Sequence, residues 1–197
     1  MFSRLPAGGP NPNHMKEHHD DSDPGTWKLD MSHTLIGFIV RHAGISKVRG
    51  SFNDADATLT VGDSIADSRV EAAVQVASFD SGDENRDAHV TGEDFFDAAQ
   101  HPQMTFVSTG VEGTEEEFEL TGDLTIKGTT RPVTFDVEFG GATVDPFGAT
   151  RAGFEATTKI SRKDFGITWN AALEAGGVLV GDTVTITIDA AFVRSED

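Results

Sequence analysis

From Trp27 onward, apolar and polar residues alternate along the chain with a period of two. In FELTGDLTIK, Phe118, Leu120, Leu124 and Ile126 share one parity, while Glu119, Thr121, Asp123, Thr125 and Lys127 share the other. VTFDVEF repeats the pattern, with Val133, Phe135, Val137 and Phe139 against Thr134, Asp136 and Glu138. Phe154, Ala156 and Ile160 oppose Glu155, Thr157 and Lys159. Val184, Ile186, Ile188 and Phe192 oppose Thr185, Thr187 and Asp189. Successive side chains of a strand project to opposite faces, so this periodicity specifies strands with one wet and one apolar face. Earlier strands are expected over 34–42, 48–61, 69–79 and 103–110, for a total of about eight.

Gly44, Gly62, Gly128, Pro132, Gly140, Gly141 and Pro146 punctuate these runs, with KGTTRP read as a tight connection between two of the clearest strands. Helical character is confined to about 83–98, with a turn at SRKDFG. The domain is therefore all-β and mostly antiparallel. Periodicity alone does not separate a sandwich from a closed barrel, since both bury one face of each strand. Long strands joined by short up-and-down connections favour an eight-stranded barrel.

Residues 1–24 are rich in Pro, Gly, Asn, His and Asp and offer almost nothing to bury, so a disordered acidic, His-containing tail is expected there, with the barrel domain over 25–195. His14, His18 and His19 lack the surrounding pattern of a metal site. The tail has no basic-then-apolar export signal, and the chain as written reads as cytoplasmic. A periplasmic or secreted location stays open if this N-terminus is not the native one. No apolar run is long enough to span a bilayer, so stable membrane insertion is not expected.

The chain has 197 residues, no cysteine, 33 acidic against 15 basic residues and a net charge of −18. Thiolate chemistry and disulfides are thereby excluded. A surface of this sign repels nucleic acid and, in bulk, anionic membranes.

Phenylalanine dominates the apolar parity, with 14 Phe and no Tyr in the chain. A hydroxyl-free inner surface suits a dry core or a pocket for an apolar ligand, and an eight-stranded barrel has room for one small molecule. Polar candidates for catalysis are His33, His42, Asp80, Arg86, Asp87, His89, His101, Arg162 and Asp164. No GxSxG elbow or HExxH pattern organises them. The segment NRDAHVTGEDFFDAAQHPQMTF gathers charges and histidines but reads as structural. Arg86 pairs with Asp83 or Asp97, Thr91 caps a short helix beginning near Gly92, and Phe95 and Phe96 turn toward the open end of the β structure.

Six stretches in order carry a family resemblance: DMSHTLIGFIVRH, VRGSFNDADATL, SFDSGDENRDAHVTGEDFFDAAQHPQMTF, GDLTIKGTTRPVTFDVEF, SRKDFGITWN and VGDTVTITIDAAF. Together they resemble the YceI-like, polyisoprenoid-binding family over Trp27 to Phe192. The resemblance implies a lipocalin-like, antiparallel eight-stranded barrel with short helices in the strand 3–4 connection. It also implies a non-catalytic carrier holding an isoprenoid or fatty-acid-like lipid in an apolar pore, with no cofactor, no metal and no catalytic residues to carry over. Parity and motif position select Phe38, Phe106, Phe135, Phe154, Ile167 and Trp169 as pore wall, and Phe95 and Phe96 as a lid. Chemistry selects His42, Arg86 and Arg162 for a polar head group. Gly50, Gly122, Gly128 and Pro132 read as backbone-geometry positions. Two other readings are kept: a hydrolase or isomerase of an apolar substrate using the His42 and Arg162 region, and a β-sandwich interaction module with a filled core. Homodimerisation through an edge or end of the barrel is left open.

Overall fold

The computed structural model describes residues 24–196. Its strands are β1 (Gly25–Leu29), β2 (Leu35–His42), β3 (Ser46–Phe52), β4 (Ala55–Val61), β5 (Arg69–Gln75), β6 (Phe79–Asp80), β7 (Gln103–Gly113), β8 (Glu117–Ile126), β9 (Thr129–Val144), β10 (Thr150–Ser161) and β11 (Val180–Arg194). One α-helix, α1 (Glu84–Thr91), lies between β6 and β7. The ring β1-β4-β5-β7-β8-β9-β10-β11 closes through β1–β11 pairing into an eight-stranded antiparallel barrel. β2, β3 and β6 are continuations: β2 prolongs β1, β3 runs into β4, and β5 runs into β6. Eight long strands in up-and-down order result, and α1 sits in the connection between the third and the fourth.

The first long strand is broken on purpose. Leu29 lies opposite Phe192 and Leu35 opposite Asp189, so residues 30–34 make a detour beside only Ala190 and Ala191 of β11. A 3-10 turn, Met31–His33, fills the detour, and the Asp30 carboxylate organises it. It accepts from the Ser32 N–H at 3.0 Å and the Ser32 hydroxyl at 2.6 Å, and contacts His33 Nδ1 at 2.9 Å. From the other side of β11, Arg151 of β10 donates to Asp30 at 2.6 Å and to Asp145 of the β9–β10 loop at 2.7 Å. One guanidinium thus ties the strand break to a loop far along the chain. Hydrogen bonds from Ser32, then Arg151 and His33, hold the Asp30 carboxyl well below the usual carboxylate range. Arg151, with the Ala149 and Phe147 N–H groups, also lowers the Asp145 pKa from its ordinary value.

Bulges curve the sheet. Between Ser108 and Gly110 on β7, and between Gly153 and Phe154 in the β9–β10 ladder, the register slips by one residue. A bulge bends its strand and resets its parity. Phe139 faces inward before the slip on β9, and Ala142, opposite Ala152, faces inward after it. The outer surface carries cross-strand threonine pairs, Thr121 with Thr134 at 2.8 Å and Thr125 with Thr130 at 2.7 Å.

The structure corrects three local expectations. The helix ends at Thr91 and not near 98; residues 92–101 form turns. Its cap is Asp83, which accepts from the Arg86 N–H at 2.9 Å. Thr91 stands at the opposite end of the helix, its hydroxyl returned to the Asp87 carbonyl at 2.8 Å. A helical threonine hydroxyl past the first turn bonds backward in this way, because the free N–H groups lie only at the other end. The KGTTRP connection shrinks to Lys127 and Gly128, both at positive φ as a two-residue hairpin requires, and Thr129 to Pro132 belong to β9. Pro132 is tolerated because β10 pairs with β9 only from Asp136 onward, leaving no partner for the missing N–H. The tail expected over 1–24 lies outside the described residues except Pro24, whose carbonyl accepts from Arg194 at 3.0 Å.

The Asp30–Arg151–Asp145 network sets an acid-side dependence. Depressed carboxylates contribute stability that is fully present above their unfolded pKa, about 4, and lost as pH falls through the folded value. Arg151→Met is expected to lower stability at neutral pH, and its difference from the parent chain to shrink as pH drops below about 4. Urea unfolding across pH measures this; a pH-independent difference would rule the network out as its source.

Candidate functional site

Inward-facing side chains enclose a cavity of about 740 Å³ that runs along the barrel. Its two ends differ in composition. Toward β1, β4 and the end of β11 the wall interleaves small residues, Ala57, Ala72, Ala152 and Ala190, with Trp27, Leu29, Leu59 and the contacting rings of Phe139, Phe154 and Phe192. Toward α1 it is aromatic. Phe38, Phe52, Phe79 and Phe96 form one cluster, with Phe38 stacked on Phe79 at 5.1 Å and Phe96 edge-on to Phe52 at 5.8 Å. Trp27 is only 3% exposed, and its indole N–H finds no acceptor among the described residues. Packing alone therefore holds it, against a cost of about 1–3 kcal/mol.

Two wall rings depend on glycines. Phe38 lies opposite Gly50, and a Cβ at Gly50 would sit 2.5 Å from the Phe38 ring. A Cβ at Gly122 would likewise collide with the Phe106 ring. Each ring lies flat over the strand next to it, which only a missing side chain permits.

The segment after β6 closes this end. Phe95, 7% exposed, meets Trp169 at 5.3 Å, and His89 of α1 stands edge-on to both rings at 5.1 and 4.7 Å. The backbone N–H groups of Phe95 and Phe96 bond to the carbonyls of Gly92 and Val90, folding the turn back under the helix. Arg86 braces the base: Nε donates to the Ser81 hydroxyl at 2.7 Å and Nη2 to the Ser81 carbonyl at 2.8 Å. The expected Asp83 or Asp97 pairing is absent because the helix N-terminus claims the Asp83 carboxylate. Arg86 Nη1 has no partner among the described residues.

All the residues selected as pore wall, lid or head-group contacts border this one cavity, whereas the polar candidates His33, Asp80, Asp87, His101 and Asp164 do not line it. Phe38, Phe106, Phe135 and Phe154 line its length, Ile167 and Trp169 reach it from the segment after β10, and Phe95 and Phe96 cover it. His42 stands exposed at the α1 end, with no hydrogen bond from its ring to any described residue. Arg162 needs correction as a head-group contact. At 4% exposure, it donates to the carbonyls of Gly181, Ile167 and Trp169 at 2.9 Å each and of Val180 at 3.3 Å. Its Nη2 lies 3.5 Å from Asp182. Its donors are spent on the protein, and burial pushes its pKa down, opposed by Asp182. Phe52, Phe79, Trp27 and the alanines were not selected. Shared parity with Val48 and Gly50 is a signal that could have found Phe52, but alanine on an inward parity reads as tight core, not as space.

Exposed residues within the wall mark two mouths. One, at the α1 end, has Arg41, His42, Asn85 and His89; the other has Asp63, Ser64, Arg69 and Glu115. Among the described residues no three His, Asp or Glu side chains gather as a metal set, and no helix is long and apolar enough to cross a membrane.

An up-and-down barrel with a lidded apolar interior defines a lipocalin-like class of protein. A YceI-like domain matches residues 27–192, and this chain belongs to the YceI-like family. Protein YceI of Escherichia coli O157:H7 is 40% identical over 144 residues, covering 72% of this chain and 75% of that protein. The crystal structure of BcnA from Burkholderia cenocepacia superposes with a TM-score of 0.72 at 25% identity, covering 83% of this chain and 98% of that one. A polyisoprenoid binding domain from Saccharophagus degradans, implicated in plant cell wall breakdown, shares the fold with a TM-score of 0.61 at 12% identity, covering 86% and 98%.

Arg162 and Arg86 are expected to separate on substitution. Arg162→Met strands several buried carbonyls and should cost about 3–5 kcal/mol in urea unfolding. Arg86→Met, at the cavity rim, should cost about 1 kcal/mol. Equal losses would contradict these roles.

Proposed function

We propose that this chain is a non-catalytic carrier that holds a long-chain amphiphile, an isoprenoid or a related lipid, in its barrel. The observation that carries the reading is the apolar cavity itself. At about 740 Å³ it lies within the roughly 300–1,000 Å³ of sites that enclose a small ligand. Its polar wall residues gather at the mouths while its length is phenylalanine, alanine and branched aliphatic. That distribution suits a molecule with an apolar chain and one polar end. The family membership and the polyisoprenoid binding domain that shares this fold support the same ligand class.

The α1-end mouth suits the polar group. His42 has an unengaged ring, and Arg86 keeps Nη1 free while Ser81 fixes the rest of its guanidinium. A fixed, partly sheltered cation is a better anion partner than a mobile one, because less side-chain freedom is lost on binding. Binding is favoured over turnover because His42 has no orienting carboxylate and no hydroxyl to activate among the described residues.

Each methylene leaving water contributes about 0.8 kcal/mol. A tail already in a membrane gains almost none of this on moving to the barrel, so pore shape and head-group contacts decide selectivity.

Organic extraction of the purified protein, followed by mass spectrometry, is expected to recover one lipid per chain. Ala190→Trp, which fills the small-residue end, should abolish that recovery while the chain stays folded. An empty parent protein that also excludes apolar dyes would overturn the carrier reading. Turnover of an apolar ester that vanishes in His42→Ala would replace it with the enzyme reading.

A further inference from the structure

The charge on this molecule is unevenly placed. No Asp or Glu occurs between Asp30 and Asp54, although the chain carries 33 acids. That stretch forms the β2–β3 hairpin and holds Arg41, Lys47 and Arg49. Arg41 lies directly opposite Lys47, and Arg49 opposite Ile39, so the three cations share one face of the hairpin. All three are exposed, and none forms an ion pair among the described residues. Like charges placed opposite each other destabilise a ladder. Of the acids near this end, Asp182 of β11 meets Lys163 at 3.0 Å and Arg162, and Asp80 of β6 accepts from the Gly82 N–H and the Asn53 amide. Asp83 caps α1, Asp87 accepts from Ser81 and Asp94 meets His89. Glu84, Glu93 and Asp189 have no cation partner among the described residues, and none of them lies on the hairpin.

The tip of the same hairpin is apolar. Ile45 is 86% exposed, and Val178, 50% exposed, follows in a loop tied to the hairpin by the Ala43 N–H to Leu179 carbonyl bond at 2.7 Å. Arg41 and His42, at the base of this tip, also border the cavity mouth. An aliphatic tip above a one-sided cluster of unpaired cations, beside the opening of an apolar cavity, is complementary to one kind of surface.

We propose that the β2–β3 hairpin docks the α1-end mouth on an anionic lipid bilayer, with Ile45 inserted among the acyl chains and Arg41, Lys47 and Arg49 among the phosphates. The inference rests on the carrier reading and extends it. A ligand passing directly between bilayer and barrel never exposes its tail to water. The net charge of −18 does not forbid this, because physiological salt screens charges beyond about 8 Å and the hairpin alone touches the membrane. The other mouth has Asp63 and Glu115 against the single cation Arg69, and no comparable cluster of cations beside an exposed aliphatic tip.

Flotation of the full chain with vesicles tests it. Binding is expected to phosphatidylcholine vesicles containing phosphatidylglycerol, not to phosphatidylcholine alone, and to fall with salt. Neutralising three cations (Arg41→Gln, Lys47→Gln, Arg49→Gln) should weaken binding on the order of a hundredfold at physiological salt. Ile45→Ala should weaken it roughly fivefold, and Arg69→Gln at the other mouth should leave it unchanged. Equal binding to both vesicle types, no flotation, or a triple variant that binds like the parent would overturn the proposal. So would a dimer, seen by sedimentation and lost in Ile45→Ala, on a chain that ignores vesicles. Uptake of an apolar fluorophore by the same variants separates the two readings. Uptake without flotation sinks docking and leaves the carrier standing, whereas flotation with an empty cavity does the reverse.

Discussion

Closure of the sheet is the constraint on which everything else hangs. The first long strand, β1 and β2 together, pairs with β4 and β3 on one side and with β11 on the other, and without the β11 ladders the eight strands would be an open sheet with two bare edges. β11 must serve both halves of the first long strand, β1 at its end and β2 along its length. A straight strand could have done this. The break at Asp30 instead lets the strand change direction while β11 continues, and Arg151 fixes the angle by gripping both Asp30 and Asp145. The break therefore helps the ring close, and the closed ring makes an interior.

Whether that interior is core or cavity depends on which side chains fill it. At the α1 end, phenylalanines from β2, β3, β6 and the turn after α1 pack on each other and on Trp169 through the lid. At the other end, five inward positions are alanine: Ala57, Ala72, Ala142, Ala152 and Ala190. A barrel of this size filled with large residues at every layer would be solid. Alanine at one end and a separate, covered insert at the other leave a space that the backbone alone does not dictate.

The strands, their inward faces and the up-and-down order were legible because one wet and one dry face imprint a period of two. The third-to-fourth connection was legible as non-strand because its charges break that period. What stayed hidden is what parity cannot encode. Alanine on an inward position looks the same whether its neighbours reach it or not. Arg162 looked like a ligand contact because a lone arginine in a motif resembles one; its actual work depends on four carbonyls spread over residues 167–181, which only the folded loop assembles. Bulges were hidden too, since a one-residue slip leaves the same letters and reverses their faces.

Arg162 and Arg86 show how one end of a barrel can be both rigid and receptive. Arg162 replaces the hydrogen bonds that the segment 162–179 lacks, being neither helix nor ladder for most of its length, and Asn170 adds two more to Val180. That segment carries Trp169, the ring on which Phe95 and His89 rest. Arg86 secures the insert from the other side through Ser81, which itself donates to Asp87. The lid is thus clamped at both margins by guanidinium groups bonded to backbone. A buried cation whose donors are all used is inert toward ligands, whereas one at the rim with a free donor is not. Both arginines brace the lid; they differ in that Arg162 spends its donors on the protein, whereas Arg86 keeps Nη1 unpaired among the described residues at the rim.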